Sequence, residues 1–244
     1  MKTIKKLRAI LSVFLVLVLA LPTFTLAVND ELVTESVVIV TEENGVRTGS
    51  STSGNYEYIV VYDTVQNTIS CTERNLLTKS TRCCEVNITD IKLPMNGTRV
   101  TIDQNTNSGF RCKIITGPTY NWHLERPKSD GEGTGRYYFE CYENSSNETE
   151  LETFRSEVST LALNEATLYS KITSTLFSSF VSALLAMISV ATDGILLPSA
   201  IASIISTVGL TGEAAAAGQV VAIQCNNCMY AIENVYWATD NMHF

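Results

Sequence analysis

The sequence predicts an α+β fold: an N-terminal antiparallel β-sheet or sandwich, then a C-terminal hydrophobic helical hairpin or small bundle. Two observations carry this. Residues 36–41, 56–62, 98–102, 110–116 and 136–142 are rich in β-branched and aromatic side chains, which suit a pleated, half-buried surface. Residues 172–192 and 194–212 contain no charged side chain, and only Asp193 stands between them. Such runs are either buried against each other or inserted into a membrane.

Residues 1–27 read as a secretory signal. Lys2, Lys5, Lys6 and Arg8 precede an apolar core from Ala9 to Leu21, and Thr25-Leu26-Ala27 offers the small residues that signal peptidase needs. The basic, long-cored form is that of a Gram-positive bacterium, and the expected location is extracellular. Cleavage after Ala27 removes four of the 17 basic residues and none of the 25 acidic ones, leaving 217 residues with a net charge of −12. Such a polyanion is unsuited to nucleic acid, which is bound by neutralising phosphates with Lys and Arg. It is equally unlike cationic membrane-active peptides.

Residues 28–147 form the expected β-rich, cysteine-containing domain. Asn44-Gly45 and Asn96-Gly97 each lie between strand-like runs and predict tight hairpin turns, because both residue types tolerate positive φ. The stretch 130–135 (Asp-Gly-Glu-Gly-Thr-Gly) lacks the acidic spacing of a calcium loop and reads as a hairpin tip.

Residues 148–244 form the expected helical, apolar domain, entered through the polar linker 144–147. Leu151, Phe154, Val158, Leu161, Leu168 and Ile172 recur at helical spacing, predicting an amphipathic helix that runs on to Asp193-Gly194. A second helix starts at Pro198 and ends near Gly209 to Gly212, and a third starts around Glu213 and carries Cys225 and Cys228. Residues 172–192 would span about 31 Å as a helix, enough for a bilayer core, whereas 198–210 would span only about 20 Å. A buried core and a conditionally inserting hairpin therefore both stand. Leu176, Phe177, Phe180, Leu184, Leu185 and Ile188 are the residues that would enter a membrane.

Seven cysteines (Cys71, Cys83, Cys84, Cys112, Cys141, Cys225 and Cys228) in an exported chain predict disulfides, with one thiol left over. A bridge from the β half to the helical tail would restrict the unfolded chain most. The Cys225-Asn226-Asn227-Cys228 motif lacks the setting of a redox pair and the second half of a zinc site, so it reads as structural. His123 and His243 are the only histidines. No nucleophile elbow, zinc-protease motif or phosphate loop stands in a suitable context, so no catalytic residue, metal or cofactor is expected. The Asn-x-Ser/Thr sequences at Asn87, Asn96, Asn144 and Asn147 read as products of a polar surface.

A cleavable basic signal, a cysteine-bearing β half and a hydrophobic helical half, taken together over nearly the whole chain, resemble the large secreted bacteriocins of the geobacillin type. The resemblance implies an antibacterial protein without lanthionine rings that acts on the envelope of related bacteria. In it the β half would recognise the target, the helical half would disturb the membrane, and an immunity protein would protect the producer. The alternatives are a secreted binding or adhesion module whose helices form a core, and a cell-wall hydrolase, for which no acid/base pair or metal cluster is visible.

Overall fold

Asn44 (φ 52°) and Gly45 (φ 81°) both take positive φ, as the expected hairpin turn requires. In the computed structural model, which describes residues 37–88, 103–115, 121–129 and 133–239, this turn joins β1 (Ile39–Glu43) to β2 (Val46–Ser53). The segment 1–27 expected to be a signal, the strand expected at 98–102, the turn expected at Asn96-Gly97 and His243 lie outside the described residues. The fold is α+β, and the described residues make one compact unit.

The first sheet is an antiparallel meander of five strands, continuing through β3 (Tyr56–Asp63), β4 (Thr68–Asn75) and β5 (Thr81–Asn87). A second meander holds β6 (Asp103–Asn105), β7 (Arg111–Ile115), β8 (Asn121–Pro127) and β9 (Arg136–Tyr142). Gly133, with φ 97°, lies in the β8–β9 connection, and residues 130–132 of the Gly-rich stretch lie outside the described residues.

Four helices follow: α1 (Glu148–Tyr169), α2 (Ser174–Val190), α3 (Pro198–Val208) and α4 (Gly212–Ala238), with a 3₁₀ turn at Thr192–Gly194. One expectation is corrected here. The first helix does not run through to Asp193; it stops at Ser170, and α2 restarts under an N-cap in which Thr173 Oγ1 accepts from Leu176 N at 3.3 Å. The expected stripe holds on α1, where Leu151, Phe154, Val158, Leu161 and Leu168 are all buried. Helix α3 begins at Pro198 and is capped by Gly209 in the left-handed conformation (φ 89°), as its sequence requires.

Helices α2 and α3 cover the first sheet, α2 over β4 and β5 and α3 over β2 and β3. One row across that sheet's inner face runs Gly49, Val60, Cys71, Cys84. Gly49 is required by contact: an added Cβ would land on Thr207 Oγ1 of α3. Beside it, Ser51 Oγ donates to Ser199 O (2.9 Å), Ser203 Oγ donates to Ser51 Oγ (2.7 Å), and Arg47 Nη2 donates to Ser206 O (3.1 Å). Helix α4 packs along α1, and that pair meets the second sheet. A single apolar core runs through sheets and helices alike.

Helix α2 settles the fate of the apolar run in this state. Phe177, Phe180, Leu184 and Ile188 are buried, and Leu176 and Leu185 are partly buried against the same core. At 17 residues the helix is about 26 Å long. Among the described residues, no helix is long and apolar enough to cross a membrane.

The expected disulfides are also corrected. All seven cysteines are free thiols; Cys83 is exposed and the other six are buried. The buried thiols are spent on packing against helices. Cys71 and Cys84 lie opposite each other on β4 and β5, yet Cys71 Sγ donates to Ala183 O of α2 at 3.5 Å. Cys225 and Cys228 fill the α4 face turned to the core, where a thiol behaves as a small hydrophobe. Burial holds these groups protonated, pushing the Cys112 thiol up to about 12 and that of Cys141 to about 11.

Candidate functional site: an aromatic groove beside a locked turn

The lone charge between the two apolar runs is the key to the site. Asp193 takes the left-handed conformation (φ 57°, ψ 14°) and Gly194 follows it with φ 69°. Asp is one of the few residue types that tolerates this region, at some cost in strain. The turn is held in place from several sides. Buried Glu73 of β4 accepts from Thr192 N (3.2 Å) and Thr192 Oγ1 (2.9 Å). Asn226 of α4 clamps the far side, with Leu196 N donating to Oδ1 and Nδ2 donating to Leu196 O, both at 2.8 Å. Gly194 is pressed so closely on Met229 and Ser129 that a Cβ would lie 2.7 Å from each.

The locked turn forms one wall of a groove of about 580 Å³. Thr192, Asp193 and Ile195 come from the turn, Arg126 from β8 and Phe139 from β9. Helix α4 supplies Tyr230, Ile232, Glu233, Tyr236 and Trp237. The rings are arranged edge to face: Phe139 to Tyr236 at 6.3 Å and 85°, then Tyr236 to Trp237 at 5.6 Å and 76°. Trp237 is 70% exposed and Tyr230 52% exposed. The exposed face of α4 leading to the groove (Ala216, Gln219, Val220, Ile223, Asn227, Tyr230, Asn234, Trp237) carries no charge. Exposed apolar surface gathered around a concavity is the ordinary mark of a binding site.

Charge in the groove is asymmetric. Burial pushes the Glu233 carboxyl above its ordinary value; the Arg126 guanidinium draws it back and the Asp193 carboxylate pushes it further up. Arg126 itself lies over the Tyr137 ring, 5.2 Å from its centroid, and donates to Ser129 Oγ at 3.0 Å.

The other polar cluster covers the solvent face of the second sheet. His123 Nδ1 lies 3.1 Å from Glu140 Oε1 and its Nε2 lies 3.0 Å from Glu125 Oε1, while its ring stacks on Tyr138 at 5.5 Å. Glu125 also accepts from Arg111 (3.0 Å) and Arg136 (2.8 Å), and Arg111 grips Asp103 with two hydrogen bonds. Every member is engaged by its neighbours on adjacent strands, which makes this a cross-strand ion network. Among the described residues no group of His, Cys, Asp or Glu is placed to hold a metal ion.

None of the seven cysteines and none of the six membrane candidates lines the groove. Sequence reasoning passed over Arg126, Phe139, Glu233, Tyr236 and Trp237. The available signals were Tyr230 and Trp237, seven apart on an uncharged helical face, and Asp193-Gly194 isolated between apolar runs. Asn147, one of the four Asn-x-Ser/Thr sites, is fully buried, with Nδ2 donating to Tyr142 O (3.0 Å) and Thr239 Oγ1 (3.2 Å), so it has no room for a glycan. No protein-family model, curated protein or solved structure matches this chain.

Proposed function

We propose that the chain is an exported binding module that uses the groove between β8, β9, the 192–194 turn and α4 to hold a ligand on a bacterial envelope. The observation that carries this reading is the locked Asp193 turn facing exposed aromatic side chains across a 580 Å³ concavity. Strain held by three separate contacts at a surface groove belongs with recognition more than with packing. The helices serve as the core under the two sheets, and no catalytic constellation is invoked. The test is retention of the mature chain on intact cells of related bacteria. Tyr230→Ala and Trp237→Ala are expected to abolish retention while leaving the melting temperature unchanged. Retention that ignores both changes would overturn the reading.

A second reading, the antibacterial protein suggested by the bacteriocin resemblance, is favoured by one specific observation. Helices α2 and α3 contain no charged residue, so Asp193 in the turn between them is the one charge the pair would carry out of the sheet. On this reading the target is the membrane and the producer keeps an immunity protein. Growth inhibition on a lawn of related bacteria, with dye release from liposomes, would establish it. Absence of both would leave the binding module.

A further inference from the structure

We propose that the groove binds an organic ammonium group, quaternary or primary, an inference that rests on the groove being the binding site. Aromatic rings attract a cation held over their faces, and most strongly when water is excluded. The exposed faces of Trp237 and Tyr230 are available for this, with Tyr236 and Phe139 fixing the wall behind them.

Charge selects the cation. The groove sets two carboxylates, Asp193 and Glu233, against one guanidinium, and Arg126 is committed to Tyr137 and Ser129. Phosphate or carboxylate ligands would meet those two acids at close range. A neutral ligand would take further water from Glu233, whose ionised form burial already disfavours, and offer no charge in return. An ammonium group relieves that cost and the repulsion between the two carboxylates at once. The net charge of −8 adds a favourable long-range field for cations.

The experiment is calorimetric titration of the mature chain with choline and with 3,3-dimethylbutan-1-ol, which has the same shape without the charge. Cadaverine tests the primary amine, and phosphatidylcholine vesicles separate a lipid headgroup from the free ammonium compound. Choline is expected to bind about tenfold or more tighter than its neutral isostere. Glu233→Gln and Trp237→Ala should each cost about tenfold of that affinity, with unchanged melting temperatures. Equal binding of the neutral compound, no binding of either amine, or full affinity in Glu233→Gln would overturn the proposal. If cell retention depends on Trp237 but choline does not compete for it, the groove remains the binding site and the ammonium assignment falls. Retention unaffected by Trp237→Ala removes the binding site itself, and the ammonium proposal with it.

Discussion

Replacing Glu165 by Ala should unravel the β6–β7 connection and destabilise the whole chain. Glu165 is fully buried on α1, and its carboxylate accepts four hydrogen bonds: Asn107 N and Nδ2 at 2.8 Å on one oxygen, Ser108 N at 2.8 Å and Ser108 Oγ at 2.7 Å on the other. Thr106 closes the loop behind them, its Oγ1 accepting from Phe110 N at 3.0 Å. In Glu165→Ala the two Asn107 donors can turn to water, whereas those of fully buried Ser108 cannot. Two stranded donors at about 1–3 kcal/mol each predict a loss of about 2–6 kcal/mol. Relief from desolvating a carboxylate returns part of this and favours the lower half of the range. At roughly 2–4 °C per kcal/mol for a chain of this size, thermal unfolding followed by circular dichroism should fall by about 5–15 °C. Adding Ser108→Ala removes one stranded donor and should recover about 1 kcal/mol. A shift below about 2 °C in Glu165→Ala would show that the carboxylate does not hold the loop. The acid range gives a second handle. Burial, the largest influence, pushes the Glu165 carboxyl up, and the four donors only partly offset it. The folded state therefore holds this proton more tightly than the unfolded state. The contribution of Glu165 is full below the ordinary glutamate value and declines as pH rises through the raised one. Glu165→Gln should lose that decline.

Three further outcomes test separate parts of the structure. Leu184→Ala should cost about 2–5 kcal/mol in urea unfolding, and Leu184→Asp should prevent folding, because Leu184 is fully buried in the shared core; a stable Leu184→Asp protein would mean that α2 does not pack as described. Alkylation of the native protein followed by mass mapping should label Cys83 first and the six buried thiols only after denaturation, and early labelling of Cys225 or Cys228 would refute the packing of α4. Hydrogen bonding to Arg111 holds the Asp103 carboxyl below its ordinary value, so its contribution is present at neutral pH and is lost as pH falls through the depressed value. Asp103→Asn should flatten the acid limb of a stability-versus-pH curve, and an unchanged limb would place the acid sensitivity elsewhere.

The helices were legible because α1 announces its buried face by periodicity and α3 by its proline and glycine punctuation. The break after Tyr169 was not, because Ser170 and Thr173 look no different from the Ser and Thr residues inside α2. Strand β2 was hidden for a physical reason. Its inner face is Arg47, Gly49 and Ser51, which meet α3 through backbone contact and hydroxyl groups, so no apolar alternation exists to read. Strands β4 and β5 bury Cys71, Glu73 and Cys84 in the same way. The groove was less legible still, since Arg126, Phe139, Asp193 and Glu233 come from four separate elements and converge only after both sheets and α4 are in place.

The polar seam between β2 and α3 also governs when the chain can fold. Ser51 and Ser199 are 148 residues apart, and Arg47 and Ser206 are 159 apart. The first sheet is complete in sequence by Asn87, yet its inner face stays uncovered until α2 and α3 have been made. Contacts this distant close large loops before they are rewarded, which makes folding slow. Helix α1 likewise waits for α4, and Asn147 is not fully engaged until Thr239 arrives. The shared core therefore closes only when nearly all of the described chain, from β1 to the end of α4, has been made.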